Sequence, residues 1–294
     1  MVSLKAAMIL SIVILSFNSK NLTLSCIKSL FSLYKKDLEK GEVEIVIVDN
    51  ASSDGSIEAI SEYISDKKGL RLIKSRENLG FGKGNNLGAS QARGDTLVFL
   101  NSDTEALDKG FLKMADFLAK NPKIGILGPK LINFDGTIQP SAANFYGLLN
   151  LLVMLLGLEK RKSPQSLEKV DWITGAATMV PKKVFEEIGS FDENIFMYME
   201  DHELCYRAKK NGFATYFFPE VIIKHKSVGS SNRGFAVVNI YKNILYFYRK
   251  HRSYPEYIVA KLLLFSKAFF LLSLGKLIRN RYYVDIYRQA LKAI

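Results

Sequence analysis

At 294 residues, 48% hydrophobic and 24% charged with only 7 prolines, the chain can bury a substantial core and lacks the composition of a disordered or low-complexity protein. Two cysteines, Cys26 and Cys205, are too few for a disulfide framework and stand in no metal-ligand spacing, so they read as buried thiols of a reducing compartment. The net charge of +12 is uneven: residues 232–294 hold twelve Lys and Arg against Glu256 and Asp285, leaving +2 elsewhere, so a basic appendage follows a nearly neutral body.

In chain order, residues 8–15 form an apolar, β-branched-rich run ending in Ser16-Phe17-Asn18. A helical pattern follows at Leu22, Cys26, Ile27, Leu30 and Leu33. One early lysine lends the start a likeness to a signal peptide, but no small-x-small cleavage site follows, and a buried strand with its crossover helix is the reading. Residues 43–48 are apolar except for Glu44 and end in Asp49-Asn50-Ala51-Ser52-Ser53-Asp54-Gly55. A helix is expected over 57–64 and a short strand over 70–73. Another buried strand spans 96–100 and ends in Asn101-Ser102-Asp103, before a helix over 107–119 and a strand over 124–127. Such alternation predicts an α/β fold, a mostly parallel sheet flanked by helices. Ligands in such sheets bind beyond the carboxyl ends of the strands, where Asn18, Asp49 and Asn101–Asp103 all fall.

Each cluster has a chemical use and a plainer alternative. A carboxylate at Asp49 can accept from the imide N–H of uracil or thymine, or from a ribose hydroxyl, whereas Asp54 reads as a helix cap. Asp103 is placed to hold a Mg²⁺ ion against a pyrophosphate, or serves as a turn residue. Between them, residues 78–88 carry four glycines that open a helix and allow close backbone approach to a ligand. The spacing is not that of a Walker loop, and a tight loop without ligand is the alternative.

Val-Asp-Asn-Ala-Ser-Ser-Asp-Gly-Ser, Asn-Leu-Gly-Phe-Gly-Lys-Gly-Asn-Asn-Leu-Gly and Leu-Asn-Ser-Asp, taken together, resemble family 2 glycosyltransferases, especially the rhamnosyltransferase-like branch. The likeness continues through Trp172-Ile173-Thr174-Gly175-Ala176-Ala177, Gly189-Ser190-Phe191-Asp192-Glu193, Phe196-Met197-Tyr198-Met199-Glu200-Asp201, Cys205-Tyr206-Arg207 and His225. It spans Ile12 to Ser231 and implies a GT-A fold, a nucleotide-diphosphate sugar donor, inversion at the anomeric carbon and a Mg²⁺ or Mn²⁺ cofactor. Under that resemblance the donor lies along Asn18, Asp49, Asn78, Gly80, Lys83, Asn86, Asn101, Ser102 and Asp103. Asp103 and His225 are the implied metal ligands, Asp201 the catalytic base with Glu200 beside it, and Trp172, Gly175 and Ala176 the acceptor side. Two departures stand out. Asn-Ser-Asp replaces Asp-x-Asp, so Asn101 offers no second carboxylate, and His202-Glu203 follows the acidic pair.

The chemistry asks for the same groups. In a single displacement an acceptor hydroxyl attacks as the nucleotide diphosphate leaves from the opposite face, so a base is needed near the hydroxyl and positive charge near the leaving group. Helix capping at the start of a helix over 201–211 is the plainer account of Glu200 and Asp201, and a structural role that of His225 on a strand over 221–225.

The expected boundaries are a catalytic domain over 1–232, with a donor half to about 103 and an acceptor half from 104, and a helical tail over 233–294. In that tail 241–248 and 258–274 are apolar at helical spacing, with Lys261 and Lys267 interrupting the second run. Two lysines near the middle disfavour a span, at about 2.5–3.5 kcal/mol each. Peripheral contact of 241–294 with anionic lipid at the inner face of the cell membrane is the expectation. No basic-aromatic module points to nucleic acid. The sequons at Asn21 and Asn50 read as chance in a cytoplasmic protein. The leading function is transfer of rhamnose from a thymidine diphosphate donor to a glycan or lipid-linked acceptor. UDP-sugar transfer, another nucleotidyl-sugar enzyme, or a silent nucleotide-sugar-binding protein are its rivals; the oligomeric state is unknown.

Overall fold

The computed structural model describes residues 10–226 and 233–294; the expected strand residues 8–9 and the end of the motif region at Ser231 lie outside them. Strand β1 (Leu10–Ser16) and strand β2 (Val43–Asp49) are buried along nearly their whole length, as interior strands of a sheet covered on both faces should be. Glu44, the charge in the interior of β2, is buried but paired: it accepts from Ser11 Oγ at 2.6 Å and from Arg71 Nη2 at 2.8 Å. Between the two strands runs α1 (Lys20–Lys40), which buries Cys26, Ile27, Leu30, Tyr34 and Leu38 and ends at left-handed Gly41.

Helix α2 (Ser56–Ile64), β3 (Leu70–Lys74), α3 (Phe81–Gln91) and β4 (Thr96–Asn101) follow. The strands assemble in the order β3-β2-β1-β4, all parallel. The chain therefore builds outward from β1 on one side, then returns to its other side at β4. Such a reversal opens a crevice at the carboxyl ends of β1 and β4.

Beyond β4 the sheet becomes mixed. The remaining elements of this part are β5 (Thr104–Ala106), α4 (Gly110–Lys120), β6 (Ile124–Ile132), β7 (Ile138–Gln139) and β8 (Ala142–Ala143), then β9 (Glu168–Val170), β10 (Trp172–Ile173), β11 (Ala177–Pro181), α6 (Lys182–Glu187), α7 (Glu200–Lys210) and β12 (Ala214–His225). Strand β11 is antiparallel to both β4 and β6, β12 runs parallel to β6, and β5 closes the far edge against β12. The expected helix over 107–119 starts only at Gly110, because Thr104–Ala106 is taken up in pairing with β12. The expected strand over 221–225 begins at Ala214. Pro219, which has no N–H to give, sits in a register shift between Phe218 and Ile222.

The chain forms two compact units. The first comprises the described residues up to Ala143, Arg161–Asn194, and those from Glu200 to 226. The second comprises Asn144–Lys160, Ile195–Met199 and the helices from Arg233 to Ile294. The expected tail over 233–294 thus has company from two earlier segments. Its helices are α5 (Leu148–Leu155), α8 (Arg233–His251), α9 (Tyr254–Leu277) and α10 (Arg281–Ala293). Helix α9 opens with a full capping box, Ser253 and Glu256 each accepting from the other's backbone N–H.

Candidate active site

Strand register brings the first polar clusters together. Ser16 pairs with Asp49 on one side of β1, and Leu15 with Asn101 on the other, so Asp49 and Asn101 end at one level. Asn18, left-handed at φ 47°, accepts from Ser53 N at 2.8 Å and so braces the turn after Asp49. Ser19 and Ser102 hydroxyls meet at 3.2 Å, joining the turns after β1 and β4. Asp49 is fully buried. Its Oδ1 accepts from Ser52 N at 2.8 Å, while Oδ2 has no hydrogen-bond partner among the described residues. A buried carboxylate oxygen left in that state costs stability until a donor fills it. Asp54 behaves as the expected cap, accepting from the backbone N–H of Ser56 and of Lys20.

The glycine-rich segment divides by role. Gly80, at φ 78°, makes the turn into α3. Asn78 Oδ1 accepts from Gly80 N at 3.0 Å and from Asn50 Nδ2 at 2.8 Å, and Asn50 Oδ1 accepts from Leu79 N at 2.9 Å. Asn50 thus ties the loop to the end of β2, a part that nothing in its spacing marked. Gly84 and Gly88 face inward instead: a Cβ there would stand 2.6 Å from Leu15 and 2.4 Å from Val13. Those two glycines let α3 lie close on β1 rather than cradle a ligand. Lys83 is exposed on the first turn of α3. Asn86 uses both ends of its amide on Phe191, donating to its O at 2.9 Å and accepting from its N at 3.0 Å. It fastens α3 to the segment before Asp192.

A chain of main-chain contacts carries the site to α7. Asn101 N donates to Ala176 O at 2.9 Å, and Gly175 N donates to Asp201 Oδ2 at 2.9 Å. A Cβ at Gly175 would meet Phe81 at 3.4 Å and Asp201 Cβ at 3.6 Å, so the start of α3, residues 174–176 and the start of α7 share one neighbourhood. Trp172 is buried against His202, with the Arg161 guanidinium 5.2 Å above its ring. Trp172 is thus covered, while Arg161 above it is exposed.

The two acids at the head of α7 differ. Asp201 Oδ1 accepts from His202 N at 2.7 Å; burial raises its pKa, opposed by the bonds from Gly175 and His202 and by Arg161. Burial, and then the Asp201 charge, raise Glu200 well above the carboxylate range, and its Oε2 has no partner among the described residues. Just ahead, Tyr198 and Met199 both have positive φ, 69° and 76°, the strained backbone often found beside reacting groups. Glu203 takes no part at this end: it is fully buried and pairs with Arg207 at 2.7 Å on α7.

Asp103 and His225 also come together. His225 Nε2 stands 3.4 Å from Asp103 Oδ1 and 3.4 Å from Asn101 Nδ2, and its Nδ1 lies 2.8 Å from Gln139 Oε1. The ring is thus held between Gln139 at Nδ1 and Asp103 and Asn101 at Nε2, the arrangement of an imidazole with an outer partner on one nitrogen. Gln139 on β7 was not visible as a site residue, since no motif contains it. No group of three or more His, Cys, Asp or Glu suited to a metal occurs among the described residues. One carboxylate and one imidazole stand side by side here, a pair that would fit an ion whose other positions are filled by phosphate oxygens and water.

Comparison with known proteins agrees with this architecture. The L-rhamnosyltransferase acting on N-acetylglucosaminyl-diphospho-decaprenol in Mycobacterium tuberculosis is 27% identical over 215 residues, 65% of this chain and 69% of that one. The dTDP-rhamnosyl transferase RfbF of Shigella flexneri is 24% identical over 210 residues, 69% and 66% of the two chains. Among solved structures, the mannosyltransferase PcManGT from Pyrobaculum calidifontis, in complex with GDP-Man and Mn²⁺, aligns at TM-score 0.61 and 14% identity over 98% of this chain and 86% of that one. GalNAc-T7 with UDP, GalNAc and Mn²⁺ aligns at 0.63 and 17% identity over 82% of this chain, which spans about half (48%) of that protein. The family model for glycosyl transferase family 2 matches residues 11–189. With its mostly parallel sheet, its helices on both faces and these neighbours, the chain has the GT-A fold and belongs to glycosyl transferase family 2.

Proposed function

We propose that this glycosyltransferase moves rhamnose, with inversion, from a thymidine diphosphate donor to a hydroxyl of a lipid-linked or polysaccharide acceptor at the cytoplasmic side of a membrane. The observation that carries the proposal is the line of hydrogen bonds from Asn101 through Ala176 and Gly175 to Asp201, which sets a carboxylate beside the ends of β1 and β4. Asp49 Oδ2, buried and unpaired, is ready to accept the imide N–H of the base. Asn18, Asn78 and Gly80 shape the loops around it, Lys83 offers charge to the phosphates, and Asn86 holds α3 in place. Asn101, Ser102 and Asp103 line the diphosphate. Asp103 and His225 would hold a divalent cation, which supplies positive charge to the departing diphosphate. The imidazole in that set favours Mn²⁺ over the oxygen-seeking Mg²⁺.

The step itself is a single displacement. Asp201 takes the acceptor hydroxyl proton as that oxygen bonds to the anomeric carbon, while the bond from that carbon to the diphosphate oxygen breaks on the opposite face. Burial and then the Asp201 charge push the Glu200 carboxyl up, so Glu200 is the member of the pair that holds its proton more tightly and Asp201 the one that ionises first. Gly175 and Ala176 form the wall on the acceptor side, with Trp172 as the platform beneath Arg161. Support for the sugar comes from the two relatives named for rhamnose transfer. UDP-sugars remain the second reading, since Asp49 meets the same imide edge in uracil and thymine.

Thymidine, uridine and guanosine diphosphate sugars, each incubated with and without Mn²⁺ and assayed for donor turnover, test the proposal. Turnover is expected with dTDP-rhamnose and Mn²⁺, and Asp201→Asn is expected to lower it at least ~10²-fold with donor affinity nearly unchanged. No turnover with any donor, or an unaltered rate in Asp201→Asn, contradicts it.

A further inference from the structure

Helix α9 is the one helix among the described residues long and apolar enough to cross a membrane, with a mean hydropathy of 1.9 over its best window. Its sides differ sharply. Ala260, Leu264, Ala268 and Gly275 are buried, whereas Val259, Leu262, Phe265, Phe269 and Leu277 are exposed at helical spacing. Phe269 is 57% and Leu277 80% exposed, and Phe270 extends the stripe. Helix α5 repeats the pattern in the same compact unit: Leu151 and Leu155 are buried, Leu149, Leu152 and Leu156 exposed. The two helices are joined, because Lys267 Nζ, in the middle of α9, donates to the carbonyl of Leu155 at the end of α5. A lysine that breaks the apolar run is thus used up inside the protein.

What covers this surface follows from its charge and from what packs behind it. Basic residues stand at both ends of α9: exposed Arg249 and Lys250 before it, exposed Lys276 in its last turn, and exposed Arg279 and Arg281 after it. The segment 232–294 carries +10. An apolar stripe between basic ends suits an anionic lipid surface. Helix α10 argues against a span. That helix packs against α9, and a Cβ at Gly275 would stand 2.8 Å from Tyr283 Cβ. It exposes the charges of Arg281, Asp285, Arg288 and Lys292 over its thirteen residues. Carrying α9 through the hydrocarbon would carry those charges with it, at about 2–3 kcal/mol or more apiece.

We infer that α9 and α5 form one docking face that lies in the plane of an anionic membrane, with the exposed Leu and Phe side chains entering the headgroup boundary. The inference is independent of the donor and acceptor proposed above, because its test reads binding alone.

The full-length protein is sedimented with vesicles of phosphatidylcholine containing phosphatidylglycerol, and with vesicles of phosphatidylcholine only. Binding to the anionic vesicles that weakens with salt is expected, and the double variant Phe265→Asp/Phe269→Asp is expected to lower the partition coefficient at least ~10-fold. Lys276→Glu/Arg279→Glu should weaken binding to anionic vesicles while leaving the exposed apolar stripe intact. Depth is read separately: Leu262→Trp, Phe269→Trp and Leu277→Trp should all be quenched most by lipids brominated near the headgroup. Binding that neither double variant alters overturns the inference. So does a tryptophan at 269 quenched most by bromine near the bilayer centre, which reports a span. A dimer that Phe265→Asp/Phe269→Asp dissolves, with no vesicle binding by the wild type, would assign the face to a second copy instead and equally overturn it.

Discussion

At the scale of single residues, the site is governed by which carboxylates keep their charge. Asp201 accepts two backbone N–H bonds, and Glu200 accepts none at Oε2. Both are raised by burial, so the acid limb of the pH–rate profile should lie above the ordinary aspartate range. The same burial links Glu200 to stability. Its folded state keeps a proton to higher pH than the unfolded chain does, so between the ordinary carboxylate range and about pH 8 the folded form binds more protons. Stability from this group is therefore present at low pH and lost as pH rises through that window. Glu200→Gln removes the titration. Relative to wild type its melting temperature should rise by about 2–4 °C at slightly alkaline pH and show no gain at acidic pH. Differential scanning calorimetry at the two pH values checks this; an equal offset at both would mean that Glu200 does not hold the proton.

At the scale of elements, α3 is the piece that the glycines position. Gly84 and Gly88 let it approach β1, with room for no methyl group beside Leu15 and Val13. Gly88→Ala should cost about 1–3 kcal/mol by overpacking, measured by denaturant unfolding, and should weaken donor binding because Gly80 moves with the helix. A stability within error of wild type would refute that packing role. This element also marks where the sequence was legible and where it was not. Strands β1, β2 and β4 were readable because strands buried on both faces are written as continuous apolar runs, and Asp49 and Asn101–Asp103 because they end such runs. The glycines of 78–88 misled in part, since a sequence does not say whether a missing Cβ faces a ligand or a neighbouring strand. Short strands β5, β7 and β11 were not seen: three to five residues, or two, carry no period, and only their partners define them. Gln139, and the tie from Asn50 to the glycine-rich loop, went unread for a similar reason, being set by residues far away in the chain.

At the scale of the whole molecule, the C-terminal helices share their compact unit with earlier parts of the chain. Residues 144–160 and 195–199 join the C-terminal helices in the second unit, and within it Asn243 on α8 donates at 2.9 Å to the carbonyls of Met197 and Tyr198. Those carbonyls lie in the strained turn that leads directly into Glu200. The central claim concerns the first unit: Asp49, Asp103 and Asp201 serve one nucleotide-diphosphate sugar. Calorimetric titration of thymidine diphosphate into the wild type and the three Asp→Asn variants, with and without Mn²⁺, tests it most directly. Tightening by Mn²⁺ is expected in the wild type and in Asp201→Asn and should vanish in Asp103→Asn. Asp49→Asn should bind about 10–100-fold more weakly with or without the ion, as the loss of a buried charged hydrogen bond requires. Affinity indifferent to Mn²⁺, or unchanged when Asp49 is replaced, would contradict the account.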